Sequence, residues 1–449
     1  MSVRFSELDG ARVGVWGAGR EIVSFADQLA RRLPRARIAV AAFDEPPADG
    51  VLELLHAPRA RVAVGADAGA ALAACEVVVR SPGVSLHRPE LQSLLAAGIA
   101  VTTATSLWLA ERGGAGVIGV TGTKGKSTTA ALACHLARKA GLDVDLAGNI
   151  GVPALDLLDG EERRAAVVEL SSYQIADLEV GPQVAVFTNL YHEHVDWHGS
   201  DDAYRDEKLR LLELPGVEAC VLNARDKRLA AMRPRAAVRR YGAPDGWDVL
   251  EGGIALRGEQ VLSGAELPLR GEHNALNLCG ALSAVEALGV APPPLPGSLA
   301  DFQALPHRLQ GVSERDGVLW VDDSISTTPE STLAALASFP GRAIVLIGGG
   351  QDRGQDYRAL AAALAERGAA VLGVPSTGSR LLAAAVAAGV PCERALAAAD
   401  MAEAVALAGP LAESGGVVLL SPAAPSYDRY RDFEERGERF SSLVRALPD

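Results

Sequence analysis

With 449 residues, 49% of them hydrophobic, the chain is longer than one ordinary core and is expected to fold as two or three domains. A formal net charge of −13 argues against nucleic acid as a partner, so anionic ligands must be met locally, by cations at glycine loops and helix N-termini. The apolar stretches are short and interrupted by Arg, Asp, Gly or Pro, which leaves no run near the ~20 residues of a membrane helix, and Met1-Ser-Val-Arg-Phe-Ser6 lacks a signal-peptide core. No membrane association and a cytoplasmic location are therefore expected. The cysteines at 75, 134, 220, 279 and 392 show no C-x-x-C spacing and sit among Ala, Leu or Val, which reads as buried free thiols.

In chain order, Ala11 to Trp16 reads as a strand, Gly17-Ala-Gly19-Arg20-Glu21 as a glycine turn, and the residues to about Arg32 as a helix. A second strand runs from Arg37 to Phe43 and ends at Asp44. This is a mononucleotide-binding βαβ pattern: a phosphate or diphosphate fits the helix N-terminus, and Asp44 can bond a ribose or base. Ile22 stands where a dinucleotide fingerprint has its third glycine, so a plain structural turn is equally compatible. Val77 to Arg80, followed by Ser81-Pro82-Gly83-Val84, is a further strand whose turn can close over the same ligand.

Gly113-Gly-Ala-Gly116 reads as a linker, and Ala291-Pro-Pro-Pro-Leu-Pro-Gly297 breaks the pattern again, which divides the chain into 1–112, 113–298 and 299–449. The second block opens with Gly119-Val-Thr-Gly122-Thr123-Lys124-Gly125-Lys126-Ser127-Thr128-Thr-Ala-Ala131, a strand, a glycine turn and a small-residue helix start. The glycines let backbone N–H groups turn inward, Lys126 faces the outer phosphates, and Ser127 can ligate Mg²⁺, so ATP is the expected ligand. The strict phosphate-loop pattern needs glycine at 120, where this chain has Val120.

Val167-Val-Glu169 ends a strand on a carboxylate, and the segment from Asn189 to Gly199 carries His192, Glu193, His194, Asp196 and His198. Mg²⁺ prefers oxygen, so Glu169 is its natural ligand with one imidazole tolerated; a zinc site or a solvated loop stays open for the three histidines. Lys208, in Tyr204-Arg-Asp-Glu-Lys208, reads by itself as an exposed helix lysine. In the third block, strand-like runs at 317–322, 342–347, 370–374 and 416–420 alternate with Ala/Leu-rich helices. The fold class is α/β with parallel sheets in three domains: Rossmann-like, central P-loop ATPase-type, and Rossmann-like again.

The spelling T-G-T-x-G-K-S-T at 121–128 resembles the Mur ligase and folylpolyglutamate synthetase superfamily, and the likeness to the Mur ligase family, in its glutamate-adding branch, spans all three blocks. The loop N-x-x-x-D-H-x-D-x-H-G-S appears as Asn189 to Ser200, with Glu193 in place of Asp. The resemblance implies an ATP-dependent ligase that joins glutamate to UDP-N-acetylmuramoyl-L-alanine through an acyl phosphate in peptidoglycan precursor synthesis, as a monomer. It implies two Mg²⁺ ions held by Ser127, Glu169, His194 and a carbamylated Lys208, with Lys126 beside them as a catalytic cation.

Gly148-Asn149-Ile-Gly-Val-Pro153 is similar to the family's G-N-I-G-x-P loop, whose Asn contacts the UDP-sugar. The UDP-substrate set then comprises Gly17, Gly19, Arg20, Asp44, Ser81, Gly83 and Asn149. Gly271-Glu-His273-Asn274-Ala-Leu-Asn277 is similar to G-x-H-N-x-x-N near the nucleotide, and His307-Arg308 to an H-R pair that meets ATP. The resemblance places Asp323 on the adenosine ribose, so the ATP set is Gly122, Thr123, Lys124, Gly125, Lys126, Ser127, Thr128, Asn277, His307, Arg308 and Asp323. By residue type alone, His307-Arg308 reads as a polar interdomain turn and Asn277 as an ordinary helix residue.

The departures gather in the third block. Typical members of the branch carry N-D-S-K-A-T-N, where this chain has Asp322-Asp323-Ser324-Ile325-Ser326-Thr327-Thr328. Arg353, in Gly348-Gly-Gly-Gln-Asp352-Arg353-Gly354, replaces the lysine that holds a glutamate carboxylate, a fork in place of a point charge. The S-P-A-x-x-S and F-x-x-R-G frames persist around Ser426 and Phe433, with an unusual Pro425. The implied glutamate set is Thr327, Arg353, Ser426 and Phe433. Because the changes converge on one pocket, the pattern resembles a variant group that adds L-glutamate, with D-glutamate as the alternative. A folylpolyglutamate synthetase would lack the UDP-binding block, a dinucleotide oxidoreductase would leave the 119–131 cradle idle, and a non-catalytic nucleotide-gated module would bind ATP without forming an amide.

Overall fold

The computed structural model describes residues 3–47, 49–160, 164–190, 201–251, 253–269, 271–303, 306–352, 354–426 and 428–447. His192, Glu193, His194, Asp196, His198 and Arg353 therefore lie outside the described residues. The chain divides into two compact units, Met1–Phe302 and Gln303–Asp449.

The first unit opens with a parallel sheet of β1 (Arg12–Trp16), β2 (Arg37–Phe43), β3 (Arg61–Val64), β4 (Val77–Arg80) and β5 (Ala100–Thr102), in the order β3-β2-β1-β4-β5. Side chains alternate across a strand, so Val13 and Val15 enter one core while Trp16 enters the other. The Arg20–Arg32 helix buries Ile22, Phe25, Ala26 and Leu29, one stripe at helical spacing. Ile22, at the place of the missing third glycine, is thus a core residue.

A second parallel sheet holds β6 (Val117–Thr121), β7 (Val144–Gly148), β8 (Ala165–Glu169), β9 (Val184–Phe187), β10 (Ala219–Asn223) and β11 (Ala237–Tyr241), ordered β11-β10-β9-β6-β8-β7. Every residue of β6, β8, β9 and β10 is buried, as expected where helices cover both faces. The helices Lys126–Lys139 and Glu272–Ala287 share one hydrophobic core against this sheet. Strand order reverses between β6 and β9, and ligands of open α/β sheets bind outside the carboxyl ends at such a point.

A small antiparallel sheet of β12 (Trp247–Leu250), β13 (Gly253–Leu256) and β14 (Glu259–Ser263) departs from the purely alternating pattern read from the sequence. Its strands are short, and β12 and β14 are partly exposed, so they carry less of the continuous apolar signal that marks the parallel strands.

The second unit has β15 (Gln310–Arg315), β16 (Val318–Asp322), β17 (Ile344–Gly348), β18 (Ala370–Gly373), β19 (Ala395–Ala397) and β20 (Val417–Leu420), ordered β15-β16-β20-β17-β18-β19, with β15 alone antiparallel to its neighbour. Val321, Leu346 and Leu419 face one core, and Trp320, Ile347 and Leu420 the other. Cys75, Cys134, Cys220 and Cys279 are buried, but Cys392 is exposed, because it begins a short turn, Cys392–Arg394, that follows Pro391 at the surface. Among the described residues no helix is long and apolar enough to cross a membrane.

Candidate active site

The phosphate cradle is built by glycine geometry. Gly122 has φ +140° and Gly125 has φ +82°, a region L side chains avoid, and Gly125 then caps the Lys126–Lys139 helix. A Cβ would lie 1.9 Å from Thr188 Oγ1 at Gly122 and 2.4 Å from Asn277 Oδ1 at Gly125, so both positions are also closed by their neighbours. Asn277 is a helix residue, as its sequence context suggests, and it packs on the loop.

Residues after β9 brace the same loop. Thr123 N donates to Asn189 O (2.8 Å) and Lys124 N to Asn189 Oδ1 (2.8 Å), while Asn189 Nδ2 (3.0 Å) and Thr188 Oγ1 (2.6 Å) donate to Lys124 O. Lys126 Nζ donates to Thr123 O (2.8 Å), and Thr123 Oγ1 lies 3.2 Å from Tyr204 OH. Ser127 and Thr128 are buried at the helix start. Gly122 to Thr128 and Asn277 thus converge at the switch point between β6 and β9. Sequence reading passed over Thr188, Asn189 and Tyr204 as site residues; the available signal was the polar pair placed directly after a fully buried strand.

Glu169 ends β8 and is 1% exposed. Its Oε1 accepts a hydrogen bond from Asn149 Nδ2 (3.1 Å), and its buried Oε2 has no hydrogen-bond partner among the described residues. Lys208 corrects the reading from its segment alone: it is 2% exposed, with Nζ 3.4 Å from Thr121 Oγ1 and 5.0 Å from the Tyr204 ring centroid. Tyr204 and Lys208 are four residues apart on the Asp201–Leu209 helix, so one inward face carries both despite the acidic and basic residues between them. Among the described residues no cluster of three or more His, Cys, Asp or Glu could hold a metal, and the histidine loop lies outside them. A buried carboxylate oxygen left open near hydroxyls and a phosphate loop fits a hard, oxygen-seeking cation such as Mg²⁺.

The N-terminal candidates meet the central ones within the same unit. Gly17 (φ +94°) follows β1, and Cβ atoms at Gly17 and Gly19 would lie 3.0 Å from Ser81 Cβ and 3.1 Å from Ser81 Oγ, so the turns after β1 and β4 are packed together. Asp44 accepts from Trp16 Nε1 (3.2 Å) and pairs with Arg88 Nη1 (2.5 Å). Gly83 is exposed, with open space where a Cβ would stand. Arg20 reaches across to the loop that bears Asn149, donating to Gly148 O (2.7 Å) and Gly151 O (3.0 Å).

Two buried polar ties fix this arrangement. Arg80, fully buried, donates to Val84 O (2.7 Å) and Tyr173 O (2.9 Å) and pairs with Asp177 (2.8 Å). Burial nonetheless outweighs the guanidinium and pushes the Asp177 carboxyl up to about 6. Glu21, raised by burial, accepts from Gln174 Nε2 (2.6 Å) and Thr105 Oγ1 (3.1 Å).

In the second unit, Asp323 follows β16; its Oδ2 accepts from Ser421 Oγ (2.8 Å) and its Oδ1 from Leu309 N (3.2 Å), and burial pushes its pKa up to about 6. His307 Nδ1 is 2.8 Å from Asp322 Oδ2. Burial disfavours the His307 cation, yet the bond and charge of Asp322 prevail and its pKa is raised. Gly437 is required there, since a Cβ would lie 2.1 Å from His307 Nδ1. Arg308 contributes favourable charge to Asp323. Ser426 is buried, Thr327 is half-buried, and Phe433 stands edge-on to His307 with centroids 6.3 Å apart. Arg436 binds this region together, donating to Ser324 Oγ (2.9 Å), Ser324 O (2.7 Å) and Ala424 O (3.0 Å). It is the arginine of the F-x-x-R-G frame, to which the sequence alone assigns no role.

The fold and this set of groups define an ATP-dependent amide-bond-forming ligase: residues 120–285 match the Mur ligase middle domain, and residues 307–424 the Mur ligase glutamate ligase domain. Over 456 residues the chain is 43% identical to UDP-N-acetylmuramoyl-L-alanine--L-glutamate ligase of Salinispora tropica, covering 99% of each chain. It is 41% identical over 457 residues to the protein of the same name from Xanthomonas axonopodis pv. citri, covering 98% of this chain and 97% of the relative. The chain belongs to the Mur ligase family. Among solved structures it is similar in fold to the MurF ligase of Thermotoga maritima in complex with ADP, with TM-score 0.57 and 17% identity over 99% of this chain and 98% of that one.

Proposed function

We propose that this chain joins L-glutamate to UDP-N-acetylmuramoyl-L-alanine at the expense of ATP, in peptidoglycan precursor synthesis, as a cytoplasmic monomer. One observation carries the catalytic reading: the phosphate loop and the open oxygen of Glu169 stand at the carboxyl ends of the neighbouring strands β6 and β8, and the buried Lys208 reaches Thr121 at the end of β6. The assignment of residues 1–112 to the UDP-substrate, 113–298 to ATP and 299–449 to the amino acid follows the same reading. Gly17, Gly19, Arg20, Asp44, Ser81, Gly83 and Asn149 serve the first; the 122–128 loop with Asn277, His307, Arg308 and Asp323 serves ATP; Thr327, Arg353, Ser426 and Phe433 serve glutamate.

Ser127, Glu169, His194 and a carbamylated Lys208 would hold two Mg²⁺ ions, which supply charge neutralisation at the transferring phosphoryl group. The loop N–H groups and the helix N-terminus hold the phosphates, and Lys126 neutralises charge as the γ-phosphoryl moves to the substrate carboxylate. The acyl phosphate so formed has a leaving group that the bare carboxylate lacks, and the glutamate amine displaces phosphate from it to give the amide. Carbamylation of Lys208 replaces a buried ammonium, which is costly to desolvate, with an anion that suits a metal site.

The L stereochemistry is supported by the converging changes at Ile325 and Arg353 and by the names of the two relatives. Phosphate release from ATP with UDP-N-acetylmuramoyl-L-alanine should be supported by L-glutamate. Turnover with the D isomer alone would refute that assignment.

A further inference from the structure

The hydrogen bonds of Asn149 run to Glu169, at its main-chain carbonyl and at its carboxylate. Its backbone N–H donates to Glu169 O (3.0 Å) and its Nδ2 to Glu169 Oε1 (3.1 Å). A carboxylate only accepts, so the Asn149 amide must turn its NH₂ toward Glu169. One Glu169 oxygen is thereby fixed, and the other, Oε2, is buried with no hydrogen-bond partner among the described residues.

The loop that carries Asn149 is pinned from both sides. Gly148 (φ +96°) and Gly151 (φ +68°) could not carry side chains, since Cβ atoms would lie 2.4 Å from Glu169 O and 2.2 Å from Leu146 O. On the opposite side Arg20 spans the loop, donating from Nη2 to Gly148 O (2.7 Å) and from Nη1 to Gly151 O (3.0 Å). A planar fork can hold two carbonyls at once, which an ammonium cannot do with the same geometry. Arg20 is also the first residue of the helix that leaves the Gly17–Gly19 turn of the first sheet.

We propose that Asn149 is a positioning residue for Glu169, aiming the open oxygen at a divalent cation, and that Arg20 is the clamp that holds the Asn149 loop. The glycine turn of the N-terminal sheet and the metal carboxylate of the central sheet then move as one piece. The inference rests on the reading of Glu169 as a metal ligand. Its physical basis is that a carboxylate held at one oxygen presents the other at a defined angle, so a lost outer partner weakens the metal site without touching the metal.

The test uses the full chain with Mn²⁺ as a paramagnetic probe and a non-hydrolysable ATP analogue, in the absence of the UDP-substrate and glutamate. Asn149→Ala should raise the Mn²⁺ dissociation constant about ten-fold or more, within the range typical for outer partners of metal ligands, and broaden the resonance spectrum. Arg20→Ala should act in the same direction, with Arg20→Lys intermediate; Arg20 lies at the surface, so these variants keep the test open if Asn149→Ala does not fold. In turnover, half-saturating Mg²⁺ should rise and kcat fall, beyond any rise in KM for the UDP-substrate that a lost substrate contact at Arg20 or Asn149 brings. Unchanged Mn²⁺ affinity in the variants, with only KM for the UDP-substrate raised, would overturn the proposal and leave Asn149 a substrate contact alone. Because the Mn²⁺ arm contains no acceptor, a wild-type chain that binds Mn²⁺ but fails with the UDP-substrate refutes the proposed substrate alone. A wild-type chain that binds no Mn²⁺ with nucleotide overturns the positioning role.

Discussion

Gly122→Ala offers the sharpest test of the cradle. The added Cβ would stand 1.9 Å from Thr188 Oγ1 and 3.1 Å from Asn189 N and O, in a residue with φ +140°. To reach ordinary contact Thr188 must retreat by about 1.5 Å, which strips Lys124 O of its 2.6 Å hydrogen bond and disturbs the brace around Thr123. Forcing an L side chain into this backbone region costs about 1–3 kcal/mol, and overpacking a closed site adds about 1–3 kcal/mol more. At ~1.4 kcal/mol per decade, the sum corresponds to a loss of about thirty-fold or more if it falls on the binding-competent loop.

Calorimetric titration with a non-hydrolysable ATP analogue reads the affinity, and thermal unfolding shows whether the fold survives. Gly141→Ala is the control: it has φ +89° at the far end of the Lys126–Lys139 helix with nothing within 4 Å of a Cβ, so it should lower stability slightly and leave nucleotide affinity unchanged. Adding Thr188→Ala to Gly122→Ala should recover only the steric part, about ten-fold, because the φ strain and the Asn189 contacts at 3.1 Å remain. Affinity of Gly122→Ala within about three-fold of wild type, well under 1 kcal/mol, would refute the reasoning.

Other predictions follow from buried titratable groups. Asp177 has its pKa raised from 3.8 to about 6, so its contribution to stability is fully present below the unfolded value and lost as pH rises through the folded one. The span amounts to at most about 3 kcal/mol, and urea unfolding across it should show wild type losing stability relative to Asp177→Asn as pH rises; parallel curves would remove the effect. Lys208→Ala should lower turnover about 100-fold or more if a carbamate ligates metal, and short carboxylic acids should restore part of it. Full turnover in Lys208→Ala would take the lysine out of the mechanism. The L-glutamate preference and the Asn149–Glu169 positioning carry the tests given with them.

What the amino-acid order determined by itself was local. The cradle from Gly119 to Ala131 was legible because positive φ, close phosphate approach and a helix start each demand particular residue types within a few positions. The buried strands β6, β8, β17 and β20 were legible because a strand covered on both faces must be apolar throughout. Residue type also marked Glu169 as a carboxylate at a strand end, but not which of its oxygens stays open.

Tertiary packing decided the rest. Lys208 stands in a charged helical segment and is buried because Thr121 and Tyr204 receive it, and Thr121 comes from a strand more than eighty residues earlier. Arg20, placed in the UDP-substrate set at a helix start, also donates to the carbonyls of Gly148 and Gly151, more than 120 residues away in the chain. Asn189 braces the cradle from the end of β9, which only the strand order places beside β6. The physical reason is common to all three: a short motif specifies its own backbone, whereas a polar side chain takes the partner that folding brings within hydrogen-bond reach, and that choice is made by sheet order.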